Sequence, residues 1–490
     1  MSFRRLVLCF TFLAIFTMAV RISIDSDTWW HLAAGKVIVE TGEIIREDPF
    51  SLTRQGQPWN YPGWLAQIIL YGTYEWLGYQ GLILLTALFV VMAFAFIWPL
   101  LQGPPLMRAG TMLLAASVSA VYWSARPQIM SFALAGGFFL LLSKVRQGNH
   151  RLVSLLPVLM ALWTNLHGGF AIGFIFIFSF LFGEIMEAVD EVVRKGASFK
   201  AAWLQHRSSF LVWIGTGFAC AAAVVFNPNG AQMLLYPFKT VSVGALQDFI
   251  QEWQSPNFHH LETQPFLWMI LLLLASLAFS KKEVTWASLI LVIGFTYLSL
   301  VAARNIALFA LVAAPFLCKH GYAAIRPFIQ RRKQGRQVPE KVARLLNLVI
   351  LGFMILAAGV KIMLPLNQES IREAISEHNP VLAVQAIRDD DLYGNLFNSY
   401  NWGGYVIWKL YPEWLSFVDG RTDLFNDEIL EDYITAWRAD PGWQDILADW
   451  NIEVALLERG SPLAKVLVLS GWEIRYEDDA AVVLTHGKEP

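Results

Sequence analysis

The sequence predicts an α-helical polytopic membrane protein of about 11 transmembrane helices with a C-terminal extracytoplasmic α/β domain, and three observations carry that expectation. Of its 490 residues, 56% are hydrophobic and only 16% charged, with a mean hydropathy of +0.46; soluble domains carry roughly 25% charged residues. Apolar runs of spanning length recur from the N-terminus to about residue 366. They then stop, and 367–490 alternates short strand-like and helix-like patterns over a length that suits one small domain.

A spanning helix takes about 20 apolar residues. Runs that qualify lie near 6–22, 79–101, 108–124, 128–144, 152–166, 169–188, 209–226, 264–280, 284–302, 305–319 and 345–365. Arg4 and Arg5 precede the first run as in a signal peptide, but no small-residue cleavage site precedes Arg21, so it reads as an uncleaved first span. Cys9, Cys220 and Cys318 all fall in apolar runs, where a thiol acts as a small hydrophobe and implies neither a disulfide nor a metal cluster. A net charge of −2 gives no reason to expect nucleic acid as a partner.

Basic residues stay preferentially on the cytoplasmic side. With the N-terminus inside, the cytoplasmic segments hold 20 Lys and Arg, part of them in the stretch RRKQGRQ at 331–337, and the other side holds seven before the tail. The loop 23–78 and, after an odd number of spans, the tail 367–490 therefore share the extracytoplasmic compartment. This divides the chain into a multispanning domain, 1–366, and an extracytoplasmic α/β domain, 367–490.

In the loop, 29–40 has helix-forming composition, Pro49, Gly56 and Pro58 mark turns, and 64–77 repeats apolar residues at helical spacing with aromatics suited to the membrane interface. In the tail, strands are expected at 394–400, 405–410, 415–418, 454–457, 474–477 and 481–485. Helices are expected at 371–387 (interrupted at Asn379 and Pro380), 427–439, 443–450 and 462–469, together making a mixed sheet with helices.

Carboxylates beside a bilayer are expensive unless used, which makes the loop, where they stand among tryptophans, the candidate site. Asp27, just outside the first span, is placed to act as a general base or to hold a cation; the plainer alternative is that Ser26 and Asp27 cap a helix. Asp25 competes for the same role. Asp48, at the Glu47-Asp48-Pro49 turn, is a second candidate carboxylate, and His31 shares a helix face with Asp27. At the outer ends of other spans stand Arg126, His167 (in TNLHGG) and Arg304. Single arginines there usually anchor at the interface, but three donors on one membrane face also suit a lipid-linked phosphate, which the planar Arg fork matches. Glu252 beside Trp253 is a sugar contact or a surface carboxylate. In FVDGRTDLF, Asp419 and Arg421 form an internal salt bridge or serve a site, while Gly403 and Gly404 mark a turn or close backbone approach.

An acid ending the first span, a helix, a Gly-Glu turn with Pro-Phe, then YPGWLAQIILYGTYEWLG before the second span resembles the first outer loop of the GT-C glycosyltransferases. Protein O-mannosyltransferases and the aminoarabinose transferases of lipid A are among that superfamily. RPQIMSF, WTNLHGGF, EWQSP, ARN, NWGGYVIWKLYP and VDGRTDLF are similar to bacterial GT-C-like membrane proteins. The resemblance implies a glycosyltransferase of the bacterial inner membrane that moves a sugar from a polyprenyl-phosphate donor to an extracytoplasmic glycan, lipid or protein acceptor, with inversion. Asp27 then acts on the acceptor hydroxyl, and Arg304, Arg126 or His167 meets the leaving phosphate. Many relatives carry Asp-Glu where this chain has Asp27-Thr28, which leaves Asp25 or Asp48 as the second carboxylate. A divalent cation is compatible with these acids, and no Walker-type or dinucleotide motif calls for a nucleotide. Two rivals remain at the level of sequence: a lipid or solute transporter, against which there is no internal repeat, and an inactive GT-C-like scaffold with a glycan-binding tail.

Overall fold

A computed structural model of the chain describes residues 1–241, 251–330, 339–390 and 392–486; the basic stretch 331–337 lies outside the described residues. Its N-terminal helices are α1 (Phe3–Ala19), α2 (Ser26–Thr41), α3 (Trp64–Ile97), α4 (Pro105–Ser119), α5 (Gln128–Arg146), α6 (Leu155–Leu166), α7 (Ala171–Val193), α8 (Phe199–Val224) and α9 (Tyr236–Val241). They are followed by α10 (Gln264–Phe279), α11 (Trp286–Val301), α12 (Ile306–Gln330) and α13 (Glu340–Met363). Each of the eleven apolar runs is thus helical. Among the described residues, six helical stretches are long and apolar enough to cross a membrane, and α10 and α11 are shorter apolar helices.

Burial orders the bundle. The stretch Ala303–Ile329 is 78% buried in its most apolar window, against 11% for Glu340–Met363. Accordingly α12, apolar nearly all round, is the central helix and packs on α4, α10 and α11, whereas α13 lies at the edge against α1. The helices expected at 64–77 and 79–101 run on from each other through a break at Gly78, whose φ of 63° and ψ of −159° are reached at low cost only without a Cβ. Just before the break Trp76 is 87% exposed, as befits an interfacial aromatic.

The tail forms α14 (Gln368–His378), α15 (Val381–Asp389), β1 (Asn395–Asn398), α16 (Gly403–Leu410), α17 (Thr422–Arg438), α18 (Trp443–Asp449), β2 (Ile452–Glu458), α19 (Pro462–Leu469), β3 (Glu473–Glu477) and β4 (Ala481–Thr485). The sheet order is β1-β2-β4-β3, with β1 parallel to β2 and the other pairs antiparallel. Two expected strands are corrected. Residues 405–410 belong to helix α16, because a short apolar run has no decisive period and this one is buried against α2. Of 415–418 only Ser416 makes a bridge, pairing in parallel with Ser51 of the first loop.

That bridge is part of a broad seam between loop and tail. Leu52 N donates to Ser416 O at 2.7 Å, and Ser416 N donates to Phe50 O at 3.0 Å. Trp30, Phe50, Trp59, Ile407 and Leu424 bury one another there in a cluster separate from the bundle core. Aromatic pairs such as Phe50 with Trp59 and Trp30 with Tyr61 meet edge to face, each worth about 0.5–1.5 kcal/mol beyond the area it buries.

Candidate active site

The acids at the end of α1 are held by the start of α2. Asp25 is the N-cap, its side chain accepting from the Asp27 backbone N–H at 3.0 Å, and Asp27 stands in the first turn. The sequence placed the cap one or two residues later; the structure leaves Asp27 free of that duty. One oxygen of Asp27 accepts from Trp30 Nε1 at 3.1 Å, and the other meets Arg126 Nη1 at 2.7 Å.

These residues line a cavity of about 1020 Å³. Its walls come from the ends of several helices and from the tail: Asp25, Asp27, Trp30, His31 and Tyr61 of the first loop, Arg126 before α5, His167 before α7, Glu252 and Trp253 before α10, and Arg304 before α12. The tail contributes Tyr400, Gly420, Asp423, Tyr433, Trp437 and Glu458, among others.

Electrostatics differ sharply within this space. Burial pushes the Asp27 carboxyl up to about 6; Arg126 opposes that shift and the neighbouring Asp25 adds to it. Glu252 goes the other way, since Arg126 and then Arg304 more than offset its burial and hold it below the usual carboxylate range. Burial also raises Asp423, against a hydrogen bond from the Tyr236 hydroxyl at 3.2 Å. His167 is driven down to about 3 by burial and by the charges of Arg304 and Arg126, so its ring is neutral. Its Nδ1 accepts from Gly169 N at 3.0 Å and lies 2.8 Å from the Ser131 hydroxyl, which places the ring proton on Nε2.

Two solved structures share the architecture. That of the archaeal oligosaccharyltransferase AglB from Archaeoglobus fulgidus, in complex with an inhibitory peptide and a dolichol-phosphate, superposes with a TM-score of 0.53 at 12% identity over 93% of this chain and 70% of that one. The apo form of the Archaeoglobus fulgidus oligosaccharyltransferase gives 0.55 at 12% identity over the same shares. This chain has the GT-C fold. No family model matches it, and no curated protein does either.

Within the GT-C fold the expected residues divide into two groups. Asp25, Asp27, His31, Arg126, His167, Glu252 and Arg304 converge on the one cavity, and Arg421 reaches its wall as well. Asp48 does not line it. Only 1% exposed, it accepts from the backbone N–H groups of Phe50 and Ser51 at 3.1 Å each and pairs with Arg421. Arg421 also grips Asp419, Nη2 to Oδ2 at 2.7 Å and Nε to Oδ1 at 2.8 Å, and its guanidinium lies 4.8 Å from the centre of the Trp59 ring. The plain reading of Asp419 and Arg421 as a salt bridge therefore holds, and Asp48 is its third member, tying the first loop to the tail.

Arg126 differs from expectation too. Its nitrogens face carboxylates: Nε is 2.9 Å from Asp25 Oδ2, Nη1 is on Asp27, and Nη2 is on Glu252. Arg304 instead stacks over the Trp253 ring at 4.3 Å; among the described residues neither an ion pair nor a hydrogen bond engages its guanidinium. His31 makes no hydrogen bond to Asp27; Trp30 takes that place. The cavity residues missed in the sequence include Tyr61, Tyr400, Tyr433, Trp437 and Glu458. Tyr61 opens YPGW and Tyr400 immediately precedes NWGGYVIWKLYP, two motifs that did stand out, but the others carry no local signal.

Proposed function

We propose that the chain is a membrane glycosyltransferase that moves a sugar from a polyprenyl-phosphate donor to an extracytoplasmic glycan, lipid or protein acceptor with inversion at the anomeric carbon. The observation that carries this reading is the pairing, in one cavity, of a carboxylate raised to about 6 with Arg304, whose guanidinium has no ion pair or hydrogen bond among the described residues, and with the neutral ring of His167. A base whose pKa lies near the working pH is typically worth about 10² to 10⁴ in rate. Donors aimed at a departing anion contribute as much or more.

In this mechanism the acceptor oxygen attacks the anomeric carbon while its proton passes to the Asp27 carboxylate. The bond from that carbon to the phosphate oxygen breaks, and the electron pair leaves with the polyprenyl phosphate. Arg304, held flat by Trp253, and His167, through Nε2–H, receive the new charge. Asp48 serves as a strut. The AglB structure of the same fold was solved with a dolichol-phosphate and an inhibitory peptide, which supports a lipid-linked donor and an acceptor meeting here.

The distribution of basic residues supports a cytoplasmic N-terminus, with the cavity opening outside and 367–490 acting as an extracytoplasmic domain over it, and the resemblance to bacterial GT-C-like proteins supports a bacterial inner-membrane location. The test is reconstitution of the full chain in liposomes with polyprenyl-phosphate sugars labelled in the sugar, one sugar at a time, and a membrane extract as the source of acceptor. Label appearing in a non-donor product together with free polyprenyl phosphate supports the reading. Transmembrane movement of the donor with no covalent product would instead indicate a transporter.

A further inference from the structure

Three carboxylates from distant parts of the chain point at one spot beside the cavity: Asp25 and Asp27 at the start of α2, and Glu252 before α10. Converging acids of this kind are what a divalent cation takes as ligands, and the sequence alone leaves such a cation compatible with them. The spot is filled by the chain itself. Each nitrogen of the Arg126 guanidinium faces a different carboxylate, and the arginine side chain is only 12% exposed. Among the described residues, no group of three or more His, Cys, Asp or Glu side chains is disposed to hold a metal ion. A divalent ion at the spot would also lie against a guanidinium that does not deprotonate in proteins. The residues present do not fit a metal.

We infer that Arg126 is the built-in cation of this cavity, standing among Asp25, Asp27 and Glu252 where a divalent metal would otherwise bind, so that the site works without one. Arg126 is then a positioning residue. It fixes the Asp27 carboxylate through one oxygen, joins the first loop to the segment before α10, and balances charge without a dissociable ion. The donor phosphate is left to Arg304 and His167. That division explains why the arginine next to Asp27 faces three acids while the one across the cavity, among the described residues, stacks on a tryptophan and has no acid partner.

For catalysis the inference rests on the glycosyl-transfer reading, but its test is ion binding, which needs no sugar donor. Mn²⁺ is titrated into the purified full chain and followed by electron paramagnetic resonance. The wild type is expected to hold no ion that Glu252→Gln releases. Arg126→Ala, which leaves three acids without their counter-charge, is expected to gain one ion, bound at least about tenfold more tightly than by the wild type, and Arg126→Ala with Glu252→Gln to lose it again. A wild-type ion released by Glu252→Gln would overturn the inference, as would a folded Arg126→Ala that binds no more Mn²⁺ than the wild type. Should Arg126→Ala not fold, the comparison of wild type with Glu252→Gln decides alone. In the transfer assay, chelation with EDTA is expected to leave the rate unchanged; a loss restored by Mn²⁺ would contradict the inference while leaving the glycosyltransferase reading intact.

Discussion

Gly420 of the tail lies so close to Asp27 of the first loop that a methyl group on it would stand 1.7 Å from Oδ1. A neighbouring contact repeats the pattern, since a methyl on Gly404 would stand 2.3 Å from the Ser26 carbonyl oxygen. The tail backbone is thus pressed onto the first turn of α2, and the base of the proposed reaction is seated by a segment nearly 400 residues away in the chain.

Gly420→Ala therefore displaces either the carboxylate or the turn that carries Gly420. Misplacing a catalytic group by about 1 Å can cost about 10²-fold in rate. Transfer by Gly420→Ala is expected to fall on that order, while the chain still inserts and elutes as a single species. Gly110→Ala, where the added carbon meets no atom within 4 Å beyond its own helix backbone and chain neighbours, is the control and should transfer like the wild type.

Asp48→Asn is expected to act on stability. Removing one partner of a buried ion pair costs about 3–5 kcal/mol, because the other charge is left buried and unpaired, and both Asp48 and Arg421 have side chains at most 1% exposed. Thermal unfolding in detergent should show a clear drop in Tm for Asp48→Asn and for Arg421→Met. The exposed helix pair Arg344 with Glu340 should tolerate Glu340→Gln with little change. Equal Tm values for Asp48→Asn and wild type would remove Asp48 as a strut.

The pH dependence of transfer should report Asp27. Its carboxyl is raised from 3.8 to about 6, and only the ionised form accepts a proton. Activity should therefore rise with pH through about 6 and be lost progressively below it. The Arg126 charge opposes the upward shift, so any residual activity of Arg126→Ala should have its acid limb at higher pH. A limb centred near pH 4 in the wild type would argue against a buried base.

Much of the architecture was legible because lipid imposes a simple rule. All eleven apolar runs became helices, and the boundary set at residue 78 and the interruption at Asn379-Pro380 fall where breaks occur. The candidate residues at span ends were legible for a related reason: ionisable side chains are scarce there, so Asp27, Arg126, His167 and Arg304 stood out, and Glu252 stood out beside Trp253 in an outer loop. Their pairing was not. Whether a given arginine meets a phosphate or an acid depends on which loops fold over it, and Glu252 and Arg126 are 126 positions apart. Residues 405–410 misled because a six-residue apolar run fits a strand or a buried helix equally well. Asp48 looked catalytic only until the tail, which supplies Arg421, was in place.

Arg304 should govern donor use. Arg304→Ala is expected to lower kcat/KM for the polyprenyl-phosphate sugar by about 10²-fold or more. Arg304→Lys should recover only part of this, since an ammonium offers no planar fork to phosphate and stacks less well on Trp253. Steady-state kinetics with varied donor make the comparison; full recovery by Lys would mean that a point charge suffices.

The most direct test of the central claim compares Asp27→Asn with wild type for transfer of labelled sugar from polyprenyl phosphate in liposomes, with thermal unfolding measured on the same preparations. The account predicts transfer reduced by about 10² to 10⁴ with Tm little changed. Transfer at the wild-type rate by a correctly folded Asp27→Asn would contradict it.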